Sequence, residues 1–317
     1  MSAEKTTDTD LYNAADDLLE RNLVAGRADK AAVIDTNGSH TYGDLNARVN
    51  RFANALTAMG LEMEHRIVLC MHDTVDFPAC FLGAIKAGVI PIPINTRLTE
   101  KDYEFILADS RARALVVSEN LLDAFTPHLD NHALLRHVVV VGNDTGGRHS
   151  LSELLDTAAD TFQPAPTRAD DMCFWLYTSG TTGTPKGVLH SFRSLLARVA
   201  LNQAHIPRPT RTRTLSVLPT HFGHGLIGNC LTVLLDRQDL LLAPATNLDV
   251  SGNLGSIIDE HRISFMSSVP TLWKRVLGSV PPPKKGTLAR VHVGSAPLSA
   301  DLWNGIAEWA GTRDVVN

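Results

Sequence analysis

Long hydrophobic runs are missing from this 317-residue chain. None approaches the roughly 18 consecutive apolar residues that a membrane-spanning helix needs, and runs such as Val138–Val141 and Leu240–Leu242 are the size of strands. The first ten residues, Met1 to Asp10, are rich in Lys, Thr and Asp and hold no apolar stretch of the kind that marks a secretory signal. They read as a solvated tail, and a cytoplasmic protein is expected. Cysteine is scarce. Cys70, Cys80, Cys173 and Cys230 stand far apart with no Cys-x-x-Cys spacing, which offers neither a disulfide framework nor a zinc site and predicts reduced, mostly buried thiols. Aromatic residues make up 6% of the chain, too few to hint at a base-stacking platform. Basic charge is in deficit, with 29 Lys and Arg against 34 Asp and Glu and a net charge of -5. That balance argues against a general nucleic-acid or anionic-membrane surface.

The chain does hold a substantial core's worth of apolar residues, 44% against 20% charged, and its length fits two domains or one large α/β unit. Hydrophobic periodicity predicts a helix over Leu11–Leu23, then a strand over Ala31–Asp35 with a turn at Asn37-Gly38. Thr41 can cap a following helix closed by Gly60. Strand and helix then alternate. Strands are expected at Arg66–Cys70, Val89–Ile94, Ala114–Val117, His137–Val141, Met172–Tyr177, Thr214–Leu218, Leu240–Ala243 and Arg290–Val293. Helices are expected at Phe77–Lys86, from Leu98-Thr99 to Ala108, and at Gly225–Leu235, Leu254–His261, Leu272–Leu277 and Ser299–Trp309. Gly142–Ser150 and Pro281–Gly286 read as loops. Short apolar strands alternating with helices predict the α/β class, with parallel βαβ units and helices on both sheet faces.

The most informative segment runs from Tyr177 to Val188 (YTSGTTGTPKGV). Three glycines, five Ser or Thr hydroxyls and one lysine follow an apolar strand. Glycines let the backbone curl so that several N–H groups converge, the hydroxyls add donors and Lys186 adds a positive charge. Such a loop could cradle a polyphosphate. It is not a Walker A loop, because Pro185 precedes the lysine and Gly187 follows it. Taken alone, a Gly/Thr run is as compatible with a plain surface loop.

The segment resembles the phosphate-binding signature of the AMP-forming adenylating enzymes: acyl-CoA synthetases, peptide-synthetase adenylation domains and luciferases. Further ordered blocks carry the likeness along the chain. They are HTYGDL at His40–Leu45 with NRFANAL at Asn50–Leu56, FLGAIKAGVIPIP at Phe81–Pro93, VPTL at Val269–Leu272 and GSAPLS at Gly294–Ser299. Within the family the wording is similar to the benzoate–CoA ligase branch at Tyr12–Leu23, Asp76–Pro78, Ser110–Ser118 and Phe174–Tyr177. The resemblance implies an adenylation-domain fold of stacked βαβ-type sheets flanked by helices. It implies a flexible tail over 1–10, a first subdomain over 11–170 and a second over 171–317. It also implies ATP-dependent activation of a carboxylic acid, expected to be benzoate-like, with CoA as the thiol acceptor and Mg2+ beside the phosphates. A carrier-protein phosphopantetheine as acceptor, or a non-catalytic nucleotide-binding fragment, stays open.

Residue by residue, the resemblance implies phosphate contacts from Thr178, Ser179, Gly180, Thr181, Thr182, Gly183, Thr184 and Lys186. It implies that Gly294, Ser295, Ala296 and Pro297 lie against adenine, where small side chains let the flat base approach the backbone. The acyl pocket is expected around His221, Phe222, Gly223, His224 and Gly225, with Gly223 and His224 facing the acid. The family's aromatic-His pair is reversed here as His221-Phe222, so these histidines could equally satisfy backbone groups at a turn. No catalytic residue is assigned within the chain. The family's Mg2+-binding Glu, ribose-binding Asp and C-terminal domain with its catalytic Lys are expected beyond Asn317, so the chain reads as the first part of the enzyme.

One decoy sits in the same stretch. Gly223-His224-Gly225-Leu226-Ile227-Gly228 is formally G-x-G-x-x-G, and Asp249 follows about 20 residues later, the spacing of a ribose-binding acid. However, Pro219–Phe222 separates the glycines from their strand, whereas a dinucleotide turn follows its strand directly. Arg208, Arg211 and Arg213 read as a solvated basic stretch, as does Lys284-Lys285.

Overall fold

The computed structural model describes residues 11–179, 184–235, 239–242 and 250–317. The expected tail at 1–10 lies outside them. The α/β alternation resolves into two predominantly parallel sheets and a separate hairpin. The described residues form two compact units that interleave in sequence: those within 11–24, 44–71 and 76–197 form one, and those within 25–43, 72–75 and 198–317 the other. The sequence boundary expected between 170 and 171 therefore falls inside the first unit. Sequence adjacency misleads here because the early strand Ala31–Asp35 pairs in parallel with the distant Asp239–Leu242.

In the first unit, five strands lie in the spatial order Ile90–Pro93, Arg66–Cys70, Ala114–Ser118, His137–Val141 and His149–Ser150, all parallel. Ile90–Pro93 holds two prolines, which lack a ladder donor, and it occupies an edge, where that lack is tolerated. Val68, Leu115, Val117 and Val140 bury one sheet face against Tyr103, Ile106, Leu107 and Phe125. Tyr103 and Ile106 belong to the helix Glu100–Ser110, which opens on a capping box: Thr99 Oγ1 accepts from the Asp102 N–H, and the Asp102 carboxylate accepts from the Thr99 N–H. Gly60 and Gly88 both turn the chain with positive φ, +77° and +74°, as expected of residues closing helices.

The hairpin of the same unit pairs Met172–Ser179 with Pro185–Ser191 antiparallel. The return strand and the following helix Phe192–His205 escaped the sequence reading, as did the helix Leu151–Thr157. Pro185–Ser191 mixes Pro, Lys, Gly, His and Ser with exposed Val188 and Leu189, so it carries no buried-strand pattern.

The second unit's sheet has seven strands in the order Val315–Val316, Arg290–Val293, Phe265–Ser268, Arg213–Ser216, Asp239–Leu242, Ala31–Asp35 and Gly38–Thr41. All neighbours are parallel except the final hairpin, whose turn falls at Thr36-Asn37, one residue before the expected Asn37-Gly38, because Gly38 already pairs with Asp35. Leu215, Met266, Val291, Val293 and Val315 pack one face against Leu254, Ile258, Trp273 and Ile306. Trp273 is fully buried and meets Trp309 edge-on with ring centroids 5.3 Å apart. The expected helix Gly225–Leu235 forms as a π-helix, His224–Leu231, continuing into the α-helix Thr232–Leu235. Arg211 departs from the solvated basic stretch: it is only 2% exposed, and Arg213 donates to the His261 carbonyl at 2.8 Å. No helix among the described residues is long and apolar enough to cross a membrane.

Candidate functional site

In the first unit, the glycine/hydroxyl segment is the tip of the hairpin. Thr178 pairs with Lys186 and Ser179 with Pro185. Directly opposed residues of an antiparallel pair share a face, so the Thr178 hydroxyl and the Lys186 stem emerge side by side. Both are exposed, as is Thr184. No acid pairs with Lys186 among the described residues. Gly180, Thr181, Thr182 and Gly183 lie outside the described residues, and Ser179 contributes its backbone to the strand.

Below the tip, aromatic contacts fix the hairpin. Phe174 stacks on the His190 ring at 4.6 Å with planes 7° apart and meets Phe81 edge-on. Burial lowers the His190 pKa, so this imidazole is neutral at pH 7. Gly187 passes under the ring edges of Trp175 and Tyr177, where a Cβ would lie 3.2 Å from Trp175 Cε3. The Tyr177 hydroxyl donates to Asp109 Oδ2 at 2.5 Å. Burial, followed by the neighbouring Asp109, raises the Tyr177 pKa and keeps the phenol protonated. Asp109 lies on the helix Glu100–Ser110, so that helix fixes the strand leading into the tip.

In the second unit, parallel pairing puts the carboxyl ends of Arg213–Ser216, Phe265–Ser268, Arg290–Val293 and Val315–Val316 along one edge of the sheet. That edge is where open α/β sheets bind ligands. The expected acyl segment follows the first of these strands and the expected adenine segment follows the third. They meet at His224. A Cβ on Gly294 would lie 3.0 Å from His224 Cε1, and one on Gly228 would lie 3.2 Å from His224 Cδ2. Two glycines thus flank the imidazole, and its Nε2 hydrogen-bonds Ser267 Oγ at 2.7 Å. Burial, then the charge of Arg198, lowers the His224 pKa, so the ring is neutral at pH 7.

The turn around His224 is tight. The Phe222 N–H donates to the Pro219 carbonyl at 3.1 Å and the Leu226 N–H to the Phe222 carbonyl at 2.8 Å. Gly225 is buried against the Leu218 and Pro219 carbonyls, leaving no room for a Cβ. Phe222 projects outward, 45% exposed, while His221 and Gly223 are half-buried. The glycines of the formal G-x-G-x-x-G therefore serve internal packing and a π-helix rather than a dinucleotide turn; Asp249 lies outside the described residues. π-Helices recur at functional sites.

In the segment expected to meet adenine, Ser295, Ala296 and Pro297 are exposed, and Ser295 holds φ at +69°, a left-handed conformation unusual for a residue with a side chain. Asn317 Nδ2 donates to the Val293 carbonyl at 2.7 Å and to the Ala296 carbonyl at 3.1 Å, bracing that strained turn. The sequence reading missed Ser267 and Asn317. Ser267 lies on a strand, Phe-Met-Ser-Ser, too short and polar to be recognised, and Asn317 was read only as an end point. Among the described residues no three His, Cys, Asp or Glu side chains cluster to hold a metal ion. The described residues of each unit thus present a small exposed cationic hairpin tip in one, and a neutral imidazole among glycines at a sheet's carboxyl edge in the other.

Known proteins share both the sequence and this fold. Benzoate–CoA ligase of Thauera aromatica is 43% identical over 281 residues, covering 87% of this chain and 52% of its own length. The solved structure of an anthranilate CoA ligase in complex with anthranoyl-AMP matches with a TM-score of 0.91 at 28% identity, over all of this chain and 61% of that one. The benzoate CoA ligase structure from Burkholderia xenovorans LB400 matches with a TM-score of 0.83 at 31% identity, over 97% of this chain and 61% of that one. The chain spans about half the length of the curated relative from Thauera aromatica. Residues 19–317 match the AMP-binding enzyme family, and the chain belongs to that family.

Proposed function

We propose that this protein activates a benzoate-like aromatic acid with ATP and passes the acyl group to CoA. In the first step a carboxylate oxygen attacks the α-phosphorus, the bond from that phosphorus to the bridging oxygen breaks, and pyrophosphate leaves. In the second the CoA thiol loses its proton, its sulfur attacks the acyl carbon, and AMP departs. Both steps bring anions or weak electrophiles together, so catalysis rests on positioning and charge stabilisation.

The observation that carries the reading is the 43% identity to a protein named benzoate–CoA ligase over most of this chain. The geometry supports it in two places. Thr178 and Lys186 emerge together at an exposed hairpin tip; with Ser179, Thr184 and the intervening Gly180, Thr181, Thr182 and Gly183, which lie outside the described residues, they are assigned to grip the β- and γ-phosphates. Ser295–Pro297 offers small exposed residues beside Gly294 to a flat adenine, and His221–Gly225 offers the exposed Phe222, a glycine at 223 and the neutral His224 to an aromatic acid. Mg2+, held chiefly by the phosphates themselves, would offset the charge that builds on them. CoA is preferred over a carrier protein because it is the acceptor in the relatives' names. Reliance on ATP and CoA suits a cytoplasmic enzyme.

Pyrophosphate release by the full-length protein, measured across a panel of acids, tests the reading. Benzoate and its hydroxy and amino derivatives should give acid-dependent release, and acetate or long-chain fatty acids little. Release driven only by aliphatic acids, or no acid-dependent release at all, would overturn it.

A further inference from the structure

A half-buried carboxylate lies next to the His221–Gly225 turn without belonging to it. Asp73 Oδ1 accepts two hydrogen bonds from Thr220, one from its N–H at 3.2 Å and one from its Oγ1 hydroxyl. Thr220 is only 1% exposed. No Lys or Arg pairs with Asp73 among the described residues; the neighbouring His72 is the basic group that acts on it. Burial pushes its carboxyl above the usual range, while the Thr220 bonds pull the other way.

Asp73 is itself held in place. It sits in the short 72–75 segment, where the Thr74 N–H donates to the His72 carbonyl at 2.9 Å and the Val75 N–H to Asp35 Oδ2 at 2.6 Å. Asp35 ends the strand Ala31–Asp35, so the carboxylate is referenced to the sheet. Downstream of Thr220 the chain has little slack. The Pro219 carbonyl accepts from Phe222, the Phe222 carbonyl accepts from Leu226, and Gly225 is wedged on the Leu218 and Pro219 carbonyls. The far end is fixed by the His224–Ser267 hydrogen bond. A shift of Thr220 therefore passes to His224 within four residues.

We infer that Asp73 is a positioning residue that, through Thr220, sets the depth of the His221–His224 turn and so selects among ring-substituted aromatic acids. The inference rests on the acid-activating reading above. Its chemistry is that of an oriented acceptor: the carboxylate fixes both the backbone and the hydroxyl of one residue, which a single hydrogen bond cannot do.

The test compares full-length wild type, Asp73→Ala, Thr220→Val and Thr220→Ser by steady-state kinetics with benzoate and with ortho- and para-substituted benzoates, alongside thermal unfolding. Thr220→Val removes the hydroxyl donor at nearly constant volume, and Thr220→Ser keeps it; Asp73→Ala removes the acceptor of both bonds. Thr220→Val and Asp73→Ala should raise the KM for the acid about tenfold, the scale of one lost hydrogen bond to a charged group. They should also change the ratio of kcat/KM between substituted and plain benzoate several-fold, while the KM for ATP stays put. Thr220→Ser should recover most of the loss. If Thr220→Val does not fold, Asp73→Ala carries the same comparison. A lower unfolding temperature with unchanged selectivity, or equal rises in the KM for acid and ATP, would make Asp73 merely structural and overturn the inference. Absence of acid-dependent turnover in the wild type would instead sink the parent reading, and this inference with it.

Discussion

At the scale of single residues, glycines decide where side chains and backbone can meet. Gly294 and Gly228 leave space that the His224 ring occupies, and Gly225 lets the chain fold back on two carbonyls. Side chains at these positions would have to displace backbone or an aromatic ring, which costs about 1–3 kcal/mol where repacking is constrained. Gly225→Ala is expected to destabilise the protein by about 2 kcal/mol and to weaken acid binding. Urea unfolding and the KM for benzoate report the two effects; wild-type values for both would show that the turn relaxes freely. Burial acts as strongly on the cysteines. All four are free and buried, and burial pushes the Cys70 thiol up to about 12, so these thiols are packing groups rather than nucleophiles.

Among elements, those with a clean hydrophobic period were legible in the sequence. Arg66–Cys70, His137–Val141 and Arg290–Val293 form with the expected bounds, and Ser299 caps the last long helix, accepting from the Leu302 N–H at 3.3 Å. The misses have physical causes. Phe265–Ser268 is a fully buried central strand, yet half of it is serine, because Ser267 and Ser268 spend their hydroxyls on His224 and on the His292 carbonyl. Pro185–Ser191 lies in an isolated two-stranded hairpin with exposed side chains, so burial never imposed an alternating pattern. The π-helix cannot be read from a 3.6-residue period. The same limits apply to the candidate site. The glycine, hydroxyl and lysine residues were visible as types in order, but Asp73, Ser267 and Asn317 act through contacts made across dozens of residues, which no local pattern records.

Across the whole molecule, five imidazoles share one electrostatic bias. Burial is the first cause that lowers the pKa of His65, His137, His190, His224 and His292. His292 falls furthest, to about 4, with Arg290 next among the causes; its Nε2 accepts from Arg290 Nε at 2.9 Å, an interaction that protonation would break. Because the folded values lie below the ordinary 6.5, the unfolded chain binds more protons as pH falls below that value, and stability drops with it. Between pH 7 and pH 4.5 the loss from His292 alone should be on the order of 2 kcal/mol, after discounting for its partial exposure. Urea midpoints at the two pH values measure it, and His292→Asn should flatten the dependence. A midpoint that holds steady or rises on acidification would contradict the assignment.

The interleaving of the two units sets what a short chain must do to build them, since residues 25–43 and 72–75 leave the first unit to complete the second. Each unit then contributes one of the chemical features on which the acid-activating account depends, the exposed cationic tip of the Met172–Ser179 hairpin and the imidazole at the carboxyl edge of the seven-stranded sheet. The most direct measurement is a crystal structure of the full-length protein soaked with a non-hydrolysable ATP analogue. The account predicts the triphosphate against Thr178, Thr184 and Lys186; a triphosphate bound elsewhere, with that tip touching nothing, would contradict it.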